Sequence, residues 1–185
     1  MRNDQSRFLA LLRGINVGGK NVIAKDDLKS CFVNLGFRNV LTYIQSGNIL
    51  FRAGETRVKT LTRTIEKELS ERFSYAARAV VLSYEQYALA VEAASEDWGN
   101  DDKRRHNALF TLGDLQPEEV LAELPPRKAE LETVAAGPGV IFWSASKKHL
   151  SRTTMMKLSA LPVYKQLTVR NHNTVLKLRE LFKEL

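Results

Sequence analysis

The sequence has few of the features that mark secreted or membrane proteins. Cys31 is the one cysteine in 185 residues, so no disulfide can form within the chain, which is typical of a reducing compartment. The longest apolar runs, FLALL (8–12) and VIFW (140–143), are far shorter than the ~20 residues of a membrane-spanning helix. The first residues, MRNDQSRF, lack the apolar core of a signal peptide. These absences predict a cytoplasmic protein with no membrane partner.

Residues that bind metals or act as nucleophiles are equally scarce. The three histidines, His106, His149 and His172, lie far apart and have no neighbouring cysteine, unlike the ligands of a zinc site. The acidic stretch EDWGNDD (96–102) lacks the spacing of an EF-hand and is typical of a solvated loop. No G-x-S-x-G nucleophile motif is present. We therefore predict no metal and no cofactor, and the sequence identifies no catalytic residue.

The chain carries an excess of positive charge. Lys and Arg total 28 against 21 acidic residues, which gives a net charge of +7. Such a balance favours anionic partners, namely a small anionic molecule or a nucleic acid. Trp98 and Trp143 are not interleaved with the basic residues as they would be in a platform that stacks single-stranded bases.

Hydrophobic periodicity predicts the order strand, helix, strand, strand, helix, strand in the first part of the chain. The predicted strands are 8–13, 39–44, 49–52 and 78–82, and the predicted helices are 25–35 and 56–73. Gly36 follows the first helix at the position where glycine commonly ends one. The turn QSGN (45–48) joins two strands as a hairpin. This order is typical of a ferredoxin-like unit.

The rest of the chain repeats the order. Ser83 and Gln86 form a capping box that opens a connecting helix, 84–95. Strands are predicted at 108–112, 131–136, 140–145 and 166–170, with helices beginning at Pro117 and at Ser151, the second ending near residue 161. An amphipathic helix ends the chain. We predict an α+β fold of two tandem ferredoxin-like halves, 1–83 and 84–185, with antiparallel sheets, packed either separately or as one compact unit.

The segment LLRGINVGGKNV (11–22) resembles the start of a phosphate-binding P-loop. Gly14, Gly19 and Lys20 have the spacing G-x-x-x-x-G-K, but Asn21 occupies the place of the Ser or Thr that binds Mg²⁺. The residues NVIA (21–24) separate Lys20 from the predicted helix, whereas a P-loop runs directly into its helix. The hairpin that follows is also unlike the parallel sheet of a nucleotide hydrolase. We therefore predict that the segment is not an ATPase loop.

The predicted topology suggests another role for the same segment. The first two strands of a ferredoxin-like sheet are parallel, so the loop after the first strand and the QSGN turn leave the sheet at the same end. Glycine-rich loops can present backbone N–H groups to an anion, with Lys and Arg adding charge. Alternatively, the glycines only form tight turns, and the Asn and Gln side chains bond the loop backbone. The candidate ligand-binding residues are Arg13, Asn16, Gly18, Gly19, Lys20, Asn21, Gln45, Ser46, Gly47 and Asn48.

Three stretches together resemble a known family. LLRGINVGGKN (11–21), TYIQSGNILF (42–51) and TVRNHNTVLKL (168–178) are similar to the bacterial family named domain of unknown function 1697. The resemblance implies an α+β fold with duplicated ferredoxin-like halves, and it implies no particular reaction. The third stretch adds the secondary candidates Arg170, Asn171 and Asn173, although Asn171 or Asn173 alternatively caps the last helix. His172 stands where the family usually has Trp.

Three functions remain open at this point. The first is a binding protein that holds a nucleotide or nucleic-acid phosphate between the two loops. Arg13 and Lys20 would supply charge, and Asn16, Gln45 and Asn48 would orient the ligand. The second is an enzyme acting on a phosphorylated or nucleotide-like metabolite, and the third is a scaffold whose loop residues are purely structural. We favour the binding protein.

Overall fold

The computed structural model describes residues 5–19, 21–45 and 47–185, so the predicted site residues Lys20 and Ser46 lie outside the described residues. It is an α+β fold with two four-stranded antiparallel sheets and, over those ranges, six α-helices. The chain divides into two compact units. One comprises Met1–Tyr87 and Leu178–Leu185, and the other Ala88–Lys177. No helix in the described ranges has the length and apolar composition needed to cross a bilayer.

The first unit contains one sheet and two long helices. Its strands are β1 (Ser6–Arg13), β2 (Arg38–Tyr43), β3 (Asn48–Ala53) and β4 (Arg78–Ser83), and the helices are α1 (Lys25–Asn34) and α2 (Val58–Phe73). The strand order is β2-β3-β1-β4. These elements lie within two residues of the predicted bounds, so the predicted order of strands and helices is confirmed here. Both β1 and β2 are antiparallel to β3, which makes them parallel to each other and aligns their carboxyl ends.

One face of this sheet forms the core of the unit with α1 and α2. Phe8 and Leu12 alternate along β1 and belong to a buried cluster with Leu61 and Ile65 of α2. Cys31 on α1 is fully buried in the same cluster, as predicted from its apolar helical position. Burial is the main reason that the pKa of the Cys31 thiol is raised to about 11, so the thiol stays protonated and unreactive.

The end of the last helix, α6 (His172–Glu184), also belongs to the first unit. Phe182 is fully buried there, with its ring 5.3 Å from that of Tyr84 and 5.8 Å from that of Tyr87. Arg7 on β1 donates from Nη1 to the Phe182 carbonyl oxygen at 3.0 Å, and its guanidinium lies 3.9 Å from the Tyr84 ring centroid. These contacts fix residues 178–185 to the first unit.

The second unit contains the other sheet. Its strands are β5 (Arg104–Thr111), β6 (Glu132–Gly137), β7 (Val140–Ser146) and β8 (Leu167–Asn171), in the order β6-β7-β5-β8. Helix α3 (Tyr84–Glu92) precedes it, and α4 (Pro117–Glu123) and the single turn α5 (Thr154–Lys157) lie between its strands. The core cluster includes Leu109, Ile141 and Trp143 from the sheet and Val120 from α4.

The prediction of a helix that begins at Ser151 is wrong. The chain forms α5 and three 3-10 turns instead, at Leu150–Arg152, Leu158–Ala160 and Pro162–Gln166, and Ser151 caps no helix. Two causes are visible. The buried carboxylate of Glu132 accepts the backbone N–H groups of Thr154 and Met155, which starts a turn there. Pro162 disfavours a helical conformation of the residue before it, so a longer helix would stop at that point.

Candidate functional site

Hydrogen bonds join the two loops that were predicted to meet. We call the described residues within 14–24 and 44–48 together the loop end. The backbone N–H of Leu12 donates to the Gly47 carbonyl oxygen at 2.8 Å. The Asn16 side chain donates from Nδ2 to the Gln45 carbonyl oxygen at 2.7 Å. The loop after β1 and the β2–β3 turn therefore lie side by side at one end of the first sheet.

Asn16 holds the loop end together. Its φ is +53°, a left-handed conformation that asparagine tolerates better than most residues. Besides Gln45, its Nδ2 donates to the Ile23 carbonyl oxygen at 3.0 Å, and its Oδ1 accepts the Ile23 N–H at 2.8 Å. Its backbone N–H donates to the Asn21 carbonyl oxygen at 3.2 Å. One side chain thus braces both ends of its own loop and the neighbouring turn.

The other two loop asparagines are also bonded to backbone. Asn21, with a φ of +48°, donates from Nδ2 to the Gly14 carbonyl oxygen at 2.9 Å. Asn48 is 1% exposed and donates from Nδ2 to the Tyr43 carbonyl oxygen at 3.1 Å. Side-chain to backbone bonds of this kind stabilise turns that the backbone alone cannot satisfy. These contacts match the alternative in which the asparagines shape the loops.

The glycines of the loop end serve two different purposes. Gly47 is buried, with a φ of +69°, and a Cβ placed on it would lie 2.7 Å from Leu12 Cβ and 2.9 Å from Ile15 Cδ1. It is therefore required by close packing. Gly18 and Gly19 also have positive φ, but they are exposed and a Cβ there would meet open space. The backbone at Gly18 and Gly19 is therefore open to solvent.

Two arginines lie opposite each other where the first sheet meets the loop end. Arg13 ends β1 and pairs in register with Arg78, the first residue of β4. Directly opposed residues of antiparallel strands project from the same face, and like charges there repel. Glu66 on α2 offsets part of this repulsion through an ion pair between its Oε1 and Arg78 Nε at 3.3 Å. Gln45, the remaining predicted residue among those described, is exposed.

The third motif, apart from Leu178, belongs to the other compact unit. Arg170 is 6% exposed, and its Nη1 donates to Thr168 Oγ1 and to the Val169 carbonyl oxygen, both at 2.9 Å. Asn171 Oδ1 accepts the backbone N–H of Thr174 at 2.9 Å, which confirms the predicted cap of the last helix. Asn173 is exposed and is not that cap.

Replacing Asn171 with Ala should destabilise the start of α6. The substitution leaves the Thr174 N–H without its acceptor, and loss of such a cap costs about 1 kcal/mol. Urea denaturation of the two proteins would measure it. Asn173→Ala, an exposed change two residues away, is the control and should alter the free energy of unfolding by less than about 0.5 kcal/mol. Equal effects of the two substitutions would contradict the capping role.

Sequence reasoning missed a second site, which lies in the second unit. A cavity of about 440 Å³ is lined by residues that include Trp98, His106 and Ser144. The loop that holds Trp98 was predicted to be solvated, yet Trp98 is only 8% exposed. The sequence did contain one indication of this site, because a large apolar side chain such as Trp98 is unusual in a fully solvated acidic loop. In the described part of the chain, no group of three or more His, Cys, Asp or Glu side chains could hold a metal ion.

Comparison with known proteins agrees with the family resemblance noted above. The family described as protein of unknown function (DUF1697) matches residues 6–142. No curated protein matches the chain. Among solved structures, the conserved bacterial protein SP0830 from Streptococcus pneumoniae is 30% identical, with a TM-score of 0.86. The alignment with it covers 96% of this chain and 99% of that one. The chain described here therefore belongs to the DUF1697 family.

Proposed function

We propose that the first unit binds an anionic ligand at the loop end, either a nucleotide or the phosphate of a nucleic acid. The opposed pair Arg13 and Arg78 is the observation that carries this proposal. Two guanidinium groups on one face repel each other, and a bound phosphate would turn that repulsion into attraction. The net charge of +7 would attract such a ligand over a longer range.

The exposed glycines supply the second part of the proposed site. Successive backbone N–H groups in a turn can form a nest for an anion, and Gly18 and Gly19 lie in an exposed turn of the loop end. Lys20 follows them directly in the sequence and would add a third positive charge. In this proposal Asn16, Asn21 and Asn48 position the loop backbone, since their side-chain donors are bonded to carbonyl oxygens.

Paired substitutions test the proposal. Arg13→Gln with Lys20→Gln removes two charges from the proposed site and retains most of each side chain. Lys29→Gln with Arg63→Gln removes two charges from exposed positions of the same unit. We expect pyrophosphate to raise the melting temperature of the wild type and of the control, and to leave that of the loop-end variant unchanged. Equal stabilisation of all three proteins would reject the site.

The same proteins distinguish a nucleotide from a nucleic acid. Binding of a fluorescent single-stranded oligonucleotide releases counterions, so the logarithm of its affinity falls with the logarithm of salt concentration by about 0.7 per phosphate contact. A steep slope that is shallower by about two contacts in the loop-end variant would identify nucleic acid as the ligand. Stabilisation by ATP without oligonucleotide binding would identify a nucleotide as the ligand.

One structural observation favours a second function for the loop end. The side chains of Asn16, Asn21 and Asn48 all donate to backbone carbonyl oxygens, which is the arrangement expected of a scaffold without a ligand. A scaffold predicts that Asn16→Ala lowers the melting temperature while none of the anions has any effect on the wild type. The pyrophosphate experiment therefore separates the two functions.

We also infer that the chain contains two ferredoxin-like repeats, 1–83 and 84–185. The supporting observation is that strands in corresponding sequence positions have the same order, β2-β3-β1-β4 in one sheet and β6-β7-β5-β8 in the other. A cytoplasmic location is part of the same proposal, because the sole cysteine is a buried free thiol of the kind common in reduced compartments.

A further inference from the structure

A row of polar side chains crosses the second sheet beneath the cavity. Ser144 on β7 is directly opposite His106 on β5 and Thr133 on β6. Side chains of directly opposed residues share a face of the sheet, and all three line the cavity of about 440 Å³. We call Thr133, Ser144 and His106 the polar row. A volume of this size is within the range of pockets that hold small molecules.

The hydrogen bonds of the polar row determine what it can offer a ligand. His106 Nε2 lies 2.8 Å from the Asp101 carbonyl oxygen, which can only accept, so Nε2 carries a proton. In the neutral ring Nδ1 is then an acceptor, and the Ser144 hydroxyl 2.7 Å away donates to it. The lone pairs of Ser144 Oγ remain as an acceptor for a donor in the cavity. Ser144 and His106 are each 6% exposed, which limits competition from bulk water.

Trp98 lines the same cavity and has a buried N–H without an acceptor in the described part of the chain. It is 8% exposed, and its Nε1 is one of two buried side-chain polar atoms without a hydrogen-bond partner among the residues that the structure describes. A buried, unpaired N–H is unfavourable. Trp98 makes edge contacts with Phe142 at 4.9 Å and His172 at 5.8 Å between ring centroids, which hold the indole in place. Because Trp98 also lines the cavity, we assign its unpaired N–H as the donor to a ligand acceptor.

The charges around the cavity disfavour an anion. Asp97 and Asp101 both line it, and Arg104 lies 3.5 Å from Asp101 Oδ2 through its Nε. The lining thus carries two negative charges and one positive charge. His172 adds little positive charge, because burial, then His106 and Lys147, lower its pKa. A neutral ligand suits this lining better than a carboxylate or a phosphate.

We propose that this cavity binds a neutral, planar small molecule with a lactam edge, of the kind found in uracil and related bases. The ligand carbonyl oxygen would accept from Trp98 Nε1, and its N–H would donate to Ser144 Oγ. This site is separate from the proposed anion site of the first unit, and it takes ligands of different charge. Neither proposal depends on the other.

Nuclear magnetic resonance of the Trp98 indole N–H tests this proposal with uracil as the probe. The chain has two tryptophans, and Trp143 Nε1 is already bonded to Glu132, so its resonance is an internal reference. We expect uracil to move the Trp98 resonance downfield in a saturable manner while that of Trp143 stays in place. Spectra of Trp98→Phe identify the resonance. If uracil does not move the Trp98 resonance up to its solubility limit, the proposal is overturned.

Two analogues and one variant test the assigned contacts. 1,3-Dimethyluracil keeps the carbonyl groups and lacks both N–H donors, so it should bind about five- to tenfold more weakly, as expected for one lost hydrogen bond. Ser144→Ala should weaken uracil by a similar factor and leave dimethyluracil unaffected. Orotate is uracil with a carboxylate, and it should bind more weakly than uracil. Tighter binding of orotate, or equal binding of all three, would contradict a neutral lactam site.

Discussion

Gly47→Ala should lower the free energy of unfolding of the first unit by about 3 kcal/mol, the sum of a left-handed conformation and an overpacked contact. An alanine at a φ of +69° is strained in any surroundings. Its Cβ would also lie 2.7 Å from Leu12 Cβ, a backbone-anchored atom that cannot move aside without shifting β1. The same shift would break the bond from Leu12 N–H to the Gly47 carbonyl oxygen.

Gly14→Ala separates the two causes. Gly14 has a φ of +70°, almost identical to that of Gly47, but a Cβ there would have no atom within 4 Å. Gly14→Ala should lower the free energy of unfolding by about 1 kcal/mol, from the strain of the left-handed backbone alone. The difference between the two variants then measures the contact with Leu12 and Ile15. If Gly47→Ala costs no more than Gly14→Ala, the close packing of the turn does not constrain the loop end.

Cys31 offers a measurement that is specific to the first unit. It is the chain's sole cysteine, is fully buried in that unit's core, and has a thiol pKa of about 11. A thiol reagent will therefore react with it only after the unit opens. The labelling rate should rise by about two orders of magnitude in Gly47→Ala and by about one order or less in Gly14→Ala, following the estimated free energies. Identical labelling of all three proteins would contradict the prediction.

Local sequence signals were sufficient where neighbouring residues decide the structure. The capping box at the start of α3 is present, with Ser83 N–H donating to Gln86 Oε1 at 2.9 Å and Gln86 N–H donating to Ser83 Oγ at 3.2 Å. Helix α2 follows from apolar residues repeated every three or four positions, and β1 from an unbroken apolar run. Each signal depends on contacts that the sequence alone implies.

Tertiary contacts decided the regions where prediction failed. Strand β5 begins at Arg104, four residues before the predicted start. His106 is buried there and bonded to Ser144, 38 positions away, so no local pattern indicates the extension. The predicted helix at Ser151 was lost to the carboxylate of Glu132, nineteen positions earlier in the chain. No local rule relates a strand residue to the start of a turn at that separation.

At the loop end, prediction from the sequence was incomplete for a different reason. Its asparagines were chosen as candidates because amide groups suit both ligands and turns, and residue type does not distinguish the two uses. The structure commits the side-chain donors of Asn16, Asn21 and Asn48 to carbonyl oxygens. The topology that joined the two loops could be predicted, since it follows from strand order. The partner of each amide could not, because it depends on the detailed path of the loops.

Removal of the Glu132 carboxylate should have the largest effect in the second unit. Glu132 is 3% exposed, and it accepts from Trp143 Nε1 at 3.0 Å, from Thr154 N–H at 2.8 Å and from Met155 N–H at 3.2 Å. Glu132→Ala leaves these three donors buried and unpaired. We expect a loss of about 4 kcal/mol in the free energy of unfolding, since each orphaned donor costs ~1–3 kcal/mol.

Three further variants show whether the hydrogen bonds are the cause. Glu132→Gln retains one acceptor oxygen and should lose about half as much stability as Glu132→Ala. Glu130→Ala removes an exposed carboxylate nearby and should change stability by less than about 0.5 kcal/mol. Trp143→Phe deletes one donor, so combining it with Glu132→Ala should cost less than the sum of the two single changes. Full additivity would mean that the indole and the carboxylate do not stabilise each other.

Tryptophan fluorescence reports the unfolding of the second unit, in which Glu132 lies. Trp98 and Trp143 both lie in Ala88–Lys177, so intrinsic fluorescence in urea reports the second unit. In Glu132→Ala the fluorescence transition should move to lower urea, while Cys31 labelling in the first unit, measured without urea, changes less. The contrast follows from the position of the lost bonds, because Glu132 joins β7 to the start of α5 within the second unit alone. If the labelling rate of Cys31 and the fluorescence transition both indicate the same loss of free energy, the carboxylate stabilises both units together.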